Sequence, residues 1–234
     1  MFRYSLLLVV ALGASAQAQT VSYQGTTFPE QDGWTRDEQL FPADRAIENG
    51  WLVQRADVVP QEPPFLDVSE QDFYRRSLSE FAWSDPFFIE WRMVTDGPRT
   101  GIPSASPAAI VAGGTSHAFY HFTIAEDQAR LINADLSVLL VDIAPGVPHN
   151  YRLELYGTQS YRWLIDGQVV DSGIPEGPYP TADSEIVFGA RAAGQTITDR
   201  WDYIRYGTIP EPATGALLLA GAATVSFPRR KKVR

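Results

Sequence analysis

The chain of 234 residues contains no cysteine, so no disulfide can tie it together and its fold rests on a packed core alone. Basic residues are scarce away from the ends. Of 19 lysines and arginines, Arg3 and the five from Arg229 onward stand at the termini; between residues 19 and 208 the remaining 13 face 27 acidic residues, a net charge of −14. Nucleic acid and anionic membrane surfaces are poor partners for such a body, because a phosphate backbone requires a basic footprint. Neutral glycans, cationic polymers and divalent cations remain, beside the plainer alternative that the charge keeps the protein soluble. Several signatures are also missing. There is no Gly-x-Ser-x-Gly nucleophile turn, no lysine in phosphate-loop position after Gly113-Gly114-Thr115-Ser116, and no spaced acidic loop of EF-hand type. No fixed-period repeat and no composition break divides the body, so one domain is expected.

What is present has a period of two. Ile89 to Val94 alternates and stops at Asp96-Gly97-Pro98, while Ala118 to Ile124 and Tyr151 to Tyr156 read as further strands. Residues 136–143 form an almost continuous apolar run, which predicts a strand covered on both faces. Residues 161–165, then Asp166-Gly167, then 168–170 predict a hairpin, since Asp-Gly supplies the positive φ angles of a type I′ turn. Residues 184–189 and 201–206 close the series, with 201–206 expected in a central position. A short helix is expected around 70–81, on the mixed spacing of Phe73, Tyr74, Ser77, Leu78 and Phe81. Exposed loops are expected at 60–64 and 101–107. Strands separated by Gly, Pro and Asp turns predict an all-β, two-sheet antiparallel sandwich.

Both ends carry address-like segments. Met1-Phe2-Arg3-Tyr4, an apolar run over 5–13 and small-x-small options at Ala14-Ser15-Ala16 and Ala16-Gln17-Ala18 describe a secretory signal peptide over residues 1–18. At the other end, Pro210-Glu211-Pro212 precedes an apolar stretch over 213–227 and a basic cluster of Arg229, Arg230, Lys231, Lys232 and Arg234. A soluble core helix would show polar positions every third or fourth residue, yet only Thr224 is polar from Ala216 to Val225. As a helix the stretch rises roughly 22 Å against a hydrocarbon core of roughly 30 Å, so bilayer thinning and snorkelling of Arg229 and Arg230 would be needed. Basic residues after an apolar segment stay cytoplasmic, which places the body across the inner membrane. This three-part order resembles the PEP-CTERM sorting signal of exopolysaccharide-producing Gram-negative bacteria. The resemblance implies that residues 209–234 are read at Pro210, Glu211 and Pro212 by a membrane-embedded exosortase, after transient anchoring by an apolar C-terminal helix. The protein is then expected in the cell envelope or outside the cell.

The body, residues 19–208, has a resemblance of its own. His149-Asn150-Tyr151-Arg152-Leu153-Glu154, an aromatic strand and Ile165-Asp166-Gly167 are similar to the late hairpins of concanavalin A-like, laminin-G-type jelly rolls. Val187-Phe188-Gly189 and Trp201 to Gly207 resemble their final strand pair, in which the last strand returns beside the first. Gly33-Trp34 and Asn49-Gly50-Trp51 would supply early strands. The resemblance implies a fold that often binds glycans and sometimes cleaves them, and fold alone does not fix function. Jelly-roll hydrolases of this type present Glu-x-Asp-x-x-Glu on one strand, which is absent here. Glu90-Trp91-Arg92 and Arg152-Leu153-Glu154 each put a carboxylate and an arginine on one strand face, a pattern for surface ion pairs. Polysaccharide lyases of jelly-roll type carry a Gln-x-His strand and a Tyr-containing strand, for which only His117-Ala118-Phe119-Tyr120-His121 is nearby material. There His117 and His121 share a face about 13 Å apart, too far to ligate one metal together; they line a sheet face or contact glycan. His149 is expected to be structural.

Six tryptophans, Trp34, Trp51, Trp83, Trp91, Trp163 and Trp201, exceed the usual needs of a small core, and an exposed ring can stack on a sugar face. Trp163 should share a face with Tyr161 and Ile165, and Trp201 with Tyr203 and Arg205. Burial is the competing assignment for each. Candidate glycan contacts are therefore His117, His121, Trp163 and Trp201, with no catalytic residue assigned. No cofactor is expected, although Asp135, Asp142, Asp166, Asp171 and Asp183 admit a calcium site assembled from distant loops. The functional expectation is an exported, exosortase-sorted matrix or envelope protein that binds exopolysaccharide without catalysis. The alternative is a hydrolase or lyase acting on that polymer.

Overall fold

Alternation of apolar and polar side chains carries most of the architecture. The computed structural model describes residues 20–37, 42–59, 68–79, 86–96, 108–112, 117–132, 137–157, 159–174, 184–191 and 196–209. The signal peptide expected over residues 1–18, residues 60–64 and 101–107, Trp83, Asp135, Asp183, and the Pro210-Glu211-Pro212 motif with its apolar segment and basic tail lie outside these residues. Strands run in chain order as β1 (Thr20–Gln24), β2 (Thr35–Arg36), β3 (Asp44–Glu48), β4 (Trp51–Ala56), β5 (Val58–Val59), β6 (Val68–Ser69), β7 (Gln71–Ser77), β8 (Phe87–Thr95) and β9 (Ala108–Ala112). They continue as β10 (His117–Ala125), β11 (Gln128–Ile132), β12 (Val138–Asp142), β13 (His149–Tyr156), β14 (Ser160–Ile165), β15 (Gln168–Gly173), β16 (Glu185–Arg191) and β17 (Ile197–Thr208).

Two antiparallel sheets face each other. One has the order β15-β14-β13-β8-β17-β4-β3, with β1 also paired to β17; the other is β12-β11-β10-β9-β16-β7-β2, and β5 and β6 form a small ribbon. Between them the core is unusually aromatic. Trp91 stacks on Tyr151 at 5.7 Å and meets Phe122 edge-on at 4.9 Å, while Trp34, Phe188 and Trp201 form a second cluster with centroids 4.9–5.1 Å apart. Such edge-on and offset contacts suit the ring quadrupole and add to the area each ring buries. The body is thus an all-β sandwich of the jelly-roll, concanavalin A-like kind.

Turn chemistry sets the registers. Asp166 and Gly167 have φ of 49° and 78°, and Ile165 pairs with Gln168 across them, the two-residue turn expected from Asp-Gly. Asn49-Gly50 makes the same turn between β3 and β4, with φ of 54° and 82°. The last strand, β17, lies in the interior of its sheet between β8 and β4, and residues 203–207 pair with β1.

Three expectations are corrected. Residues 71–77 are the strand β7 rather than a helix. Its inward positions include Asp72, fully buried among Arg36, Gln54 and Tyr74, and that polar residue interrupts the apolar alternation. The run at 136–143 is an edge strand, β12, with one face on the core; Val138 and Leu140 are 44% and 56% exposed. Finally, a bulge between Trp201 and Tyr203 breaks the alternation of β17, so Trp201 turns into the core while Tyr203 and Arg205 turn outward.

Candidate functional site on the outer face of the larger sheet

Four adjacent strands put their outward side chains side by side. Strand β14 contributes Arg162, β13 contributes Asn150, Arg152, Glu154 and Tyr156, β8 contributes Glu90 and Arg92, and β17 contributes Asp202, Tyr203 and Arg205. Register brings opposite charges together. Arg152 stands directly across from Glu90, Glu90 across from Arg205, and Glu154 across from Arg162. The Arg152 guanidinium bridges both glutamates, donating through Nη1 to Glu90 Oε2 at 2.8 Å and through Nε to Glu154 Oε1 at 2.8 Å. Arg205 and the Tyr203 hydroxyl also donate to Glu90, the latter at 2.7 Å; Arg162 and the Tyr156 hydroxyl donate to Glu154 at 2.8 and 2.9 Å. Beneath this layer Arg152 lies 4.2 Å from the centre of the Phe88 ring.

The carboxylates sit at the floor. The side chains of Glu90 and Glu154 are 9% and 8% exposed, against 47% for Arg205 and 44% for Arg162. Burial alone would raise both carboxyl pKa values, but the hydrogen bonds from Tyr203, Arg152 and Arg205 to Glu90, and from Tyr156, Arg162 and Arg152 to Glu154, outweigh it and hold both below the ordinary range. Partial burial and donation to Glu90 push Tyr203 up to about 12. A general acid for glycoside cleavage needs a raised carboxyl pKa, and a tyrosine base needs a lowered one. Neither is found among the described residues of this face. The face offers guanidinium donors and aromatic surface rather than a proton-transfer pair.

Toward the β3–β4 turn the same face dips into a cleft of 290 Å³ lined by Trp51, Val53, Val94, Pro148 and Arg200 with Glu48 and Asn49. Trp51 is half-buried there with the Arg92 guanidinium 5.7 Å from its ring, and Arg92 is held by Asp202 at 2.9 Å. Arg200 is tied to Asp96 at 2.7 Å.

The sequence candidates distribute differently. Trp163 and Trp201 are buried, 1% and 0% exposed, with Trp163 sharing its inward face with Tyr161 and Ile165 as expected. They are core residues and contact no external ligand. Trp34 and Trp91 are buried as well, so the aromatic surplus is absorbed by packing between the sheets. His117 and His121 belong to β10 in the opposite sheet, and their side chains lie outside the described residues. His149 is part of the framework, with Nδ1 2.6 Å from Asp166 Oδ2 and Nε2 3.2 Å from the Ala144 carbonyl. The expected surface pairs are neither superficial nor both within one strand: Glu90 takes arginines from both neighbouring strands, and Arg92 turns to Asp202. Arg152 and Glu154 do pair. Among the described residues no group of three or more His, Asp or Glu could hold a metal ion; Asp166 and Asp171 accept bonds from the Asn150 amide and the Tyr161 hydroxyl. Arg162 escaped the sequence reading, and Trp51, Tyr203 and Arg205 were named there without being chosen as contacts, since their roles depend on cross-strand register and on the bulge in β17.

No family model matches the chain, and no curated protein does. Solved structures do match in fold. A prokaryotic β-1,3-1,4-glucanase (lichenase) derived from a mouse hindgut metagenome is 13% identical, with a TM-score of 0.55, covering 81% of this chain and 99% of that one. The Bacillus licheniformis β-glucanase is 10% identical with a TM-score of 0.54, covering 82% and 98%. The carbohydrate recognition domain of Emp47p is 13% identical with a TM-score of 0.53, covering 80% and 95%. At such identities the likeness is one of fold.

Proposed function

We propose that this protein is exported, sorted by an exosortase-type enzyme, and placed in the cell envelope or extracellular matrix, where its sandwich binds glycan without cleaving it. The observation that carries the non-catalytic part is the double neutralisation of Glu90 and Glu154. Each is bonded to two arginines and a tyrosine, so neither is available as a proton donor or as a nucleophile. Exposed guanidinium edges, Tyr156, Tyr203 and half-buried Trp51 remain on the same face, and this combination of planar rings and fixed polar groups suits sugar hydroxyls and ring faces. The fold is shared with two glucanases and with a carbohydrate recognition domain, which supports a glycan as ligand class. The export and sorting part rests on the terminal sequences, with transient anchoring in the inner membrane and cleavage near Pro210-Glu211-Pro212.

The test is a glycan array probed with residues 19–209, with and without calcium. Binding to one or more polysaccharides, unchanged by a chelator, is the expected result; an array with no retained glycan contradicts the reading. Release of oligosaccharides or unsaturated sugars from a bound polymer would move the protein to the hydrolase or lyase alternative.

A further inference from the structure

We infer that the ligand of this face is an anionic polysaccharide, its carboxylate groups seated against the guanidiniums of Arg92, Arg152, Arg162 and Arg205. This deepens the glycan-binding reading and rests on it. The body carries 13 basic residues and every one is an arginine, because the two lysines of the chain are Lys231 and Lys232. Four of the 13 converge on four neighbouring strands of one face. Arginine presents a planar fork of five N–H donors that matches a carboxylate in two parallel bonds, which a lysine ammonium cannot do.

Exposure decides the sign of what an approaching polymer meets. Glu90 and Glu154 are 9% and 8% exposed, whereas Arg205, Arg162, Arg92 and Arg152 are 47%, 44%, 39% and 26% exposed. The buried acids fix the arginines in place and leave their outer edges to the ligand. Arg205 meets Glu90 through Nη2 and Arg92 meets Asp202 through Nη1, so one terminal nitrogen of each guanidinium lies outside that bond. Arg152 and Arg205 reach Glu90 from the strands on either side of it, each donating to a different oxygen of its carboxylate, so the two guanidiniums stand close together as a paired anchor for a ligand carboxylate.

The net charge of −14 over the body argues against any polyanion only if the charge is evenly spread. Screening confines the field that matters to about 8 Å at physiological ionic strength. Within that range the centre of the face holds four arginines above two buried glutamates and Asp202. A neutral sugar would find hydroxyl partners here but would have no use for so many fixed guanidiniums.

The test uses the full-length protein immobilised on beads and three polymers: polygalacturonate, its carboxyl-reduced form with the same backbone, and single-stranded DNA. Polygalacturonate should bind at least tenfold more tightly than the carboxyl-reduced polymer and weaken with added salt, because charge-assisted hydrogen bonds carry the difference. Arg205→Gln should lose about tenfold of that affinity, and Arg205→Lys, which keeps the charge over Glu90, should lose several-fold while retaining the parent near-ultraviolet circular dichroism. Equal binding of the charged and reduced polymers overturns the anionic assignment and leaves the glycan-binding reading standing. Failure of every polysaccharide overturns both. Binding of DNA in preference to uronate, or full affinity in a folded Arg205→Lys protein, also overturns the assignment.

Discussion

At Glu90, hydrogen bonds from Arg152, Arg205 and Tyr203 converge on a carboxylate almost closed to water, and at Glu154 the same role falls to Arg152, Arg162 and Tyr156. Burial opposes ionisation and these bonds favour it more strongly, so both groups titrate lower in the fold than in the unfolded chain. The stability they contribute is therefore complete above about pH 4.3, the unfolded glutamate value, and drains away as pH falls through their folded values. Thermal melts should be flat near neutrality and drop steeply on the acid side. Glu90→Gln should lower stability at pH 7 by roughly 1–3 kcal/mol, because two arginines lose a charged partner, and should flatten the acid limb. A variant with the parent acid limb would show that Glu90 contributes nothing to it. Tryptophans divide by position. Trp163→Ala should cost roughly 3–5 kcal/mol through the cavity left among Trp91, Tyr120 and Phe122. Denaturant melts check this, and a loss below about 1 kcal/mol would be at odds with a buried ring.

Among the elements, the β14–β15 hairpin was the most legible in sequence because its turn has only one good chemistry. Gly167 at φ 78° should resist substitution: Gly167→Ala is expected to cost about 1 kcal/mol, measured by chemical denaturation, since a Cβ is strained in the left-handed region even where space is open. The strands at 87–95 and 149–156 were legible for a similarly local reason, alternation over six residues, whereas of 197–208 only 201–206 was read and its alternation is broken by the bulge. What escaped was non-local. β7 hides its alternation behind buried Asp72, whose partners Arg36 and Gln54 come from other strands. β12 has the composition of a doubly covered strand yet lies at a sheet edge, and no local pattern encodes which strands acquire neighbours. The bulge at Asp202 is stabilised from β1's side, where the Gly25 amide donates to the Asp202 carbonyl at 2.6 Å and a Cβ on Gly25 would come within 2.2 Å of the Trp201 carbonyl. The bulge turns Tyr203 and Arg205 outward and so supplies the part of the candidate face that β17 contributes. The face itself joins residues 62 and 115 positions apart, Arg152 and Arg205 around Glu90, which only register can align.

For the whole molecule, sequence composition and local surface diverge: an acidic body presents arginines where the larger sheet meets solvent. On the proposed function, address and binding are separate properties. The Pro210-Glu211-Pro212 motif should be read by its partner enzyme independently of the sandwich, as two prolines remove two backbone donors and disfavour helix at Glu211. Glu211→Ala should leave the melting curve of the body unchanged and leave unprocessed protein in the membrane fraction of an exosortase-bearing host. Processing like the parent would remove the main support for sorting. On the proposed function, the outer face holds a glycan and leaves it whole. The most direct measurement of this is size-exclusion chromatography with light scattering on the full-length protein mixed with exopolysaccharide from its host. The predicted result is co-elution of protein with polymer, at an undiminished polymer mass over prolonged incubation; a falling polymer mass, or protein eluting apart from the polymer, would contradict it.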